Sequence, residues 1–274
     1  MVSMGIVWDR TTDFLSDNRP AVATIAGFAI LLPAAISGTI EPLTGRTDGT
    51  AATVQLVSLA LSIVSLWGQL AIIALALDPI AGRGGATAIA TRRIVPLLVV
   101  LIVLLLGVFV LMLPLPIALG LTGFDFQAAM DGSNPDIPAG VGGFLLLYSL
   151  FLVALLLWLV ARLMLVTPVV LVEGRWISAI SRSFRLTRPV GLKILGVIIL
   201  YAIVCGVSFL AAKLVFGSIL GLIAGGDGLV TAGSAIAATL VALVMTVFNV
   251  LAAAFTGKLY LAVRDAREAI VESL

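Results

Sequence analysis

Four arginines, Arg175, Arg182, Arg185 and Arg188, fall within the stretch VEGRWISAISRSFRLTRPVGL (172–192), with Lys193 at its edge. A guanidinium presents its N–H donors in a fixed fork and can grip a phosphate with two parallel bonds, so the chemistry these residues suggest is anion recognition. On a helical wheel Trp176, Ile177, Ile180 and Phe184 occupy one arc, Arg175, Arg182 and Arg185 lie opposite, and Arg188 sits at the boundary. This predicts a helix lying flat at a membrane surface, apolar arc among acyl chains and guanidiniums at headgroups. Each basic side chain near an anionic leaflet contributes on the order of 1 kcal/mol. Two readings are open: an inside-positive topological clamp, or engagement of phospholipid headgroups. Arg162, upstream at the end of an apolar run, joins the candidate headgroup-binding set by snorkelling to the same surface. Its other reading is a buried role opposite Asn249 or Gln69.

Other reactive groups are few. The chain has no His and a single Cys, Cys205, within an apolar run, which excludes imidazole bases, His-containing metal sites and disulfides. Glu173 beside Arg175 is the one candidate for an acid/base pair at the interface. The connection Thr122–Val141 carries Asp125, Asp131 and Asp136, but it is rich in Gly and Pro and lacks calcium-loop spacing, so it reads as solvated. No catalytic residues, metal site or cofactor are expected. A net charge of +2 on 274 residues is too slight to imply nucleic acid.

Two polar faces could line a path through a membrane. Gln55, Ser58, Ser62, Ser65 and Gln69 share one face of a predicted helix, and Thr246, Asn249, Thr256 and Tyr260 share one face of another. Small and polar residues on such stripes also let helices pack closely in lipid. The alternatives are therefore packing seams, or a polar path for a lipid or small solute between the second and sixth helices.

The elements that must position these residues are plain. Hydrophobic residues make up 61% of the chain, charged ones 11%, and mean hydropathy is +1.24. About 20 consecutive apolar residues cross a hydrocarbon core of roughly 30 Å, and lipid compels such runs to be helices. Six are predicted: Ala21–Ile40, Thr53–Leu77, Ile94–Leu113, Gly143–Val166, Leu192–Ala212 and Leu229–Gly257. The expected fold is an all-α, six-helix transmembrane bundle forming one domain, with amphipathic interfacial helices. The polar lead before the first run is unlike a secretory signal. Within it Met4, Val7, Trp8, Thr11, Phe14 and Leu15 share a face, predicting an interfacial helix that serves as an anchor or as a docking surface for a protein partner. Thirteen of the sixteen Lys and Arg fall on one side, and Arg46 alone on the other, so both termini are expected in the cytoplasm. Pro33 is expected to bend the first span, and Pro114 and Pro116 to end or kink the third. Gly217, Gly221 and Gly225 suggest close helix contact, and Leu214–Ala224 a re-entrant or interfacial piece.

A weak internal echo relates Gly82-Arg83, Ala88-Ile89, Arg92, Arg93 and Pro96 to Gly174-Arg175, Ala179-Ile180, Arg182, Arg185 and Pro189. The run from Thr167 to Arg188, with its Thr-Pro, Glu173-Gly174 and Ser181-Arg182-Ser183-Phe184-Arg185-Leu186-Thr187 pattern, resembles the signature of the glycerophosphoryl diester phosphodiesterase membrane-domain family. The N-terminal stretch, the Ala81-Gly82-Arg83 connection and the closing Leu259-Tyr260 to Arg264-Asp265 are similar to that family as well. In some relatives this domain precedes a catalytic barrel; here no barrel fits and no His serves one, so the resemblance implies the membrane portion without hydrolysis. The expectation is a non-enzymatic, multi-pass protein of the bacterial inner membrane that engages anionic lipids at the cytoplasmic leaflet.

Overall fold

The computed structural model describes residues 3–45, 50–133, 139–224 and 230–272. Among them every regular element is helical, and six helical stretches are long and apolar enough to cross a membrane: Arg19–Gly45, Thr50–Leu77, Pro79–Gly120, Gly140–Glu173, Gly191–Leu220 and Ala232–Glu268. The all-α, six-helix reading holds. Arg46, Asp48, Asp136 and Gly225 lie outside the described residues.

Helix α1 (Met4–Asp17) precedes the first span, which is built from α2 (Arg19–Ala26), one π-helical turn (Gly27–Leu31), α3 (Leu32–Ile40) and a short 3₁₀ segment (Glu41–Gly45). Pro33 explains the division. It has no N–H to give the carbonyl four residues back, at Ala29, and its ring crowds that turn, so the helix widens there. The widened turn is where α4 (Thr50–Leu77) comes closest: a Cβ on Gly68 would lie 2.7 Å from the Ala29 Cβ. Leu70 through Ala76 of α4 are all buried, which makes this half of α4 the axis of the core.

Helix α5 (Gly82–Met112) takes Pro96 into its interior and stops before Pro114, where α6 (Pro114–Gly120) begins. Asp125 is a helix cap rather than a free carboxylate: it accepts the N–H bonds of Gln127 and Ala128 at the start of α7 (Phe126–Met130). Helix α8 (Ala139–Leu163) breaks at Met164–Leu165, because Pro168 cannot bond back to Met164. The chain resumes as α9 (Val166–Glu173), whose Val166 to Leu171 turn is buried apart from the half-buried Thr167. Gly174, at φ 64°, ends α9 in the left-handed region and lets α10 (Ser178–Thr187) leave at a new angle. Gly82, the first residue of α5, has a similar φ of 62° but a different ψ of −173°, so the two glycines of the echo turn the chain differently.

Helix α11 (Gly191–Ala224) corrects one expectation. Leu214–Ala224 is neither re-entrant nor a separate interfacial piece but continues the same helix, packed along α12 (Ala232–Glu272). A continuous helix satisfies every backbone group, which a turn inside lipid would not. In the glycine series, Gly217 is not at a close helix contact. A Cβ on Gly217 would meet nothing within 4 Å, whereas the close approaches occur at Gly68, at Gly38 against Ala238, and at Gly257 against Ala76 and the Ile73 carbonyl.

One end of the bundle is capped by protein. Val7, Thr11 and Phe14 of α1 are buried against the bundle, chiefly α12, while Ile6 and Trp8 stay exposed. The other spans expose large apolar side chains, such as Leu105 and Phe109 on α5 and Leu146 and Leu150 on α8, as a lipid-facing girdle would.

Candidate functional site

At the capped end, Glu173 is the hub. Its carboxylate, 17% exposed, takes the Arg175 Nε at 2.8 Å and the Arg182 Nε at 2.9 Å. The Tyr260 hydroxyl donates to the same Oε1 as Arg182 at 3.4 Å. The guanidinium of Arg93 lies against Gly174, its Nη1 2.8 Å from where a Cβ would stand, so a side chain there would have to displace it. Arg264, one turn beyond Tyr260 on α12, carries a buried Nε with no hydrogen bond; its distance to Glu268 Oε1, 3.6 Å, is that of a loose ion pair. Helix α5 and the α9–α10 segment thus bring three guanidiniums to the neighbourhood of Glu173, while Arg264 on α12 is paired with Asp265 at 3.4 Å and Glu268 at 3.6 Å. The ion pairs engage only the Nε of Arg175 and Arg182. Their terminal N–H groups make no hydrogen bond among the described residues. Such an arrangement can hold an added anion.

Helix α10 has three faces where the wheel suggested two. Arg175, Arg185 and Arg188 are exposed, and Trp176 and Ile177 are 50% and 55% exposed just before its first turn. The third face, Ala179, Ser183, Leu186 and Thr187, is buried. Ser183 donates to the Arg162 carbonyl at 2.7 Å and Thr187 to the same oxygen at 3.3 Å. That carbonyl belongs to the last turn of α8 and has no helical partner of its own. A small-residue series at positions 179, 183 and 187 was the available signal for this face. Ser183→Ala would leave a buried carbonyl with its weaker bond alone, and is expected to cost about 1–2 kcal/mol in the unfolding free energy of the purified chain.

Arg162 meets neither Asn249 nor Gln69. Its guanidinium stands 5.4 Å from the Trp158 ring centre and packs against Gly191, while Trp158 meets Phe184 edge-on at 5.7 Å. It belongs to the hinge between α8 and α10 and does not touch Glu173. The Arg185 carbonyl accepts a hydrogen bond from Arg267, tying α10 to the end of α12. Lys258 does a similar task that charge counting missed: it donates to the Ala76 carbonyl at 2.8 Å, closing α4, with its ammonium 4.8 Å from the Phe14 ring centre.

The two polar faces do not come together as one lining. Thr246, Asn249 and Thr256 each donate to the carbonyl four residues earlier on α12, satisfying themselves within the helix. Ser62 bonds to the Ser58 carbonyl in the same way. Gln55 and Ser62 are exposed; Ser58, Ser65 and Gln69 are half-buried. Of these residues, Tyr260 alone reaches the arginine cluster.

No protein-family model, curated protein or solved structure matches this chain.

Among the described residues no group of three His, Cys, Asp or Glu could hold a metal ion. The Glu173 carboxylate is already committed to two arginines and a tyrosine. An apolar crevice of about 490 Å³, with Met4, Trp8, Tyr201 and Phe255 on its walls, opens where α1 crosses α8, α11 and α12. The capped end thus presents cationic groups together with a hydrocarbon-lined recess.

Proposed function

We propose that this protein is a non-enzymatic membrane accessory or scaffold that engages anionic phospholipid headgroups at the leaflet its arginines face. The observation that carries this reading is the convergence of Arg93, Arg175 and Arg182 near the Glu173 carboxylate, beside exposed Trp176 and Ile177. Amphipathic aromatic and aliphatic groups next to a guanidinium cluster suit the boundary between headgroups and acyl chains. Arg185 and Arg188 extend the charge along the outer edge of α10, and Arg162 sets its angle. Membership of the glycerophosphoryl diester phosphodiesterase membrane-domain family, a bacterial inner-membrane location and cytoplasmic termini belong to the same proposal. They rest on the Thr167–Arg188 pattern and the one-sided distribution of Lys and Arg.

The full chain reconstituted in nanodiscs of mixed composition tests it by native mass spectrometry. Anionic lipid is expected to be retained in excess over phosphatidylcholine. Replacing exposed Arg175, Arg185 and Arg188 by alanine one at a time should reduce that excess about fivefold per residue. Equal retention of anionic and neutral lipid by the unaltered protein would sink the proposal.

A further inference from the structure

At the opposite end of the bundle, α3, α11 and α12 enclose a cavity of about 440 Å³, within the range of small-molecule sites. Its walls carry opposite charges. Glu41 lies on the α3 side and Lys213 on the α11 side, with α12 between them.

The helix registers place both charges at one height. Gly38 faces Ala238, its Cβ position 3.3 Å from the alanine Cβ, and α3 runs antiparallel to α12. Glu41, three residues on, is therefore level with about Ala235. The Tyr201 hydroxyl donates to the Phe248 carbonyl, fixing the antiparallel register of α11. Lys213, twelve residues on, is level with about Ile236. Neither charge forms an ion pair among the described residues, and the Lys213 ammonium instead stands 5.9 Å from the Phe209 ring centre. Toward the bundle interior the lining turns apolar, through Ala34 and Ala242 to Met245. From Ser234 to Met245 this descent along α12 is about 16 Å.

We infer that this groove binds a phospholipid with a phosphoethanolamine headgroup, its phosphate at Lys213, its ammonium at Glu41 and an acyl chain along the apolar descent. The charge pattern discriminates. A purely anionic headgroup leaves Glu41 facing a phosphate. A choline headgroup has no N–H to donate to the carboxylate, and only a primary ammonium satisfies both walls.

The test is native mass spectrometry of the full chain from nanodiscs holding equal amounts of phosphatidylethanolamine, phosphatidylcholine and phosphatidylglycerol. Phosphatidylethanolamine is expected to be retained about fivefold or more over phosphatidylcholine, with phosphatidylglycerol also held at the arginine end. Lys213→Ala and Glu41→Gln, both at exposed positions, should each abolish that preference. Ala237→Phe should do so as well, by filling the slot with both charges intact. Equal retention of phosphatidylethanolamine and phosphatidylcholine by the unaltered protein, or a preference that survives both charge variants, would overturn the inference. So would free phosphoethanolamine displacing the lipid at equal concentration, which would assign the site to a soluble zwitterion. Arginine substitutions at the other end should leave this preference unchanged, so its failure is separable from failure of the headgroup proposal there.

Discussion

Replacing Gly68 by valine is expected to destabilise the bundle by about 2–3 kcal/mol, measured as the unfolding free energy of the full chain in detergent. The reason is positional. A Cβ at residue 68 would stand 2.7 Å from the Ala29 Cβ and 3.2 Å from the Ala29 carbonyl carbon. Neither is the tip of a side chain that can swing away. The contact also falls on the π-helical turn before Pro33, which already departs from regular α geometry. Relief would require α4 to move off the first span, and α4 between Leu70 and Ala76 is packed on every side. Gly217→Val is the control. Its Cβ meets nothing within 4 Å, and the expected change is within about 0.5 kcal/mol. Equal losses at the two positions would mean that backbone propensity, rather than helix contact, governs the effect.

The second large effect is expected from Glu173→Gln, which keeps the shape of the hub and removes its charge. Arg175 and Arg182, 44% and 30% exposed, would lose their common counter-ion. Water reaches both, so the stability cost is expected at about 1–2 kcal/mol, below that of breaking a fully buried pair. Lipid selectivity should move the other way. With the negative charge gone from beside Arg93, Arg175 and Arg182, retention of anionic lipid is expected to rise about fivefold over the unaltered chain. A fall in stability with no change in lipid retention would show that the cluster only braces α9, α10 and α12. That result would count against headgroup binding at this site.

Much of the fold is legible in the residues alone. Six apolar runs of spanning length dictate six helices, because lipid leaves the backbone no other partner. Pro33 and Pro114 mark breaks that the structure realises as a π turn and a new helix, whereas the left-handed cap at Gly174 was not anticipated. The extent of α11 was less legible. Lys213 suggested a boundary, yet a lone lysine can extend along a helix without ending it, and none of Leu214–Ala224 is a helix breaker strong enough to stop it. The glycines show the same limit. Gly217 and Gly68 look alike in sequence, and only the neighbour across the gap distinguishes open space from a contact.

Composition and spacing by themselves determined that this is an all-helical, multi-pass membrane protein with its basic residues gathered on one side, since hydropathy and charge act locally and need no partner to be read. They also marked the 172–192 segment as amphipathic. Which arginines work together was decided only by tertiary structure. Arg182 and Arg175 turn to Glu173, Arg93 arrives from 80 residues earlier in the chain, and Arg162 goes to a tryptophan instead. The buried Ala179–Ser183–Thr187 face, the Lys258 bond to α4 and the opposed charges of Glu41 and Lys213 likewise depend on residues far apart in sequence. Helical periodicity states which side chains share a face, but what that face meets is set by how whole helices pack.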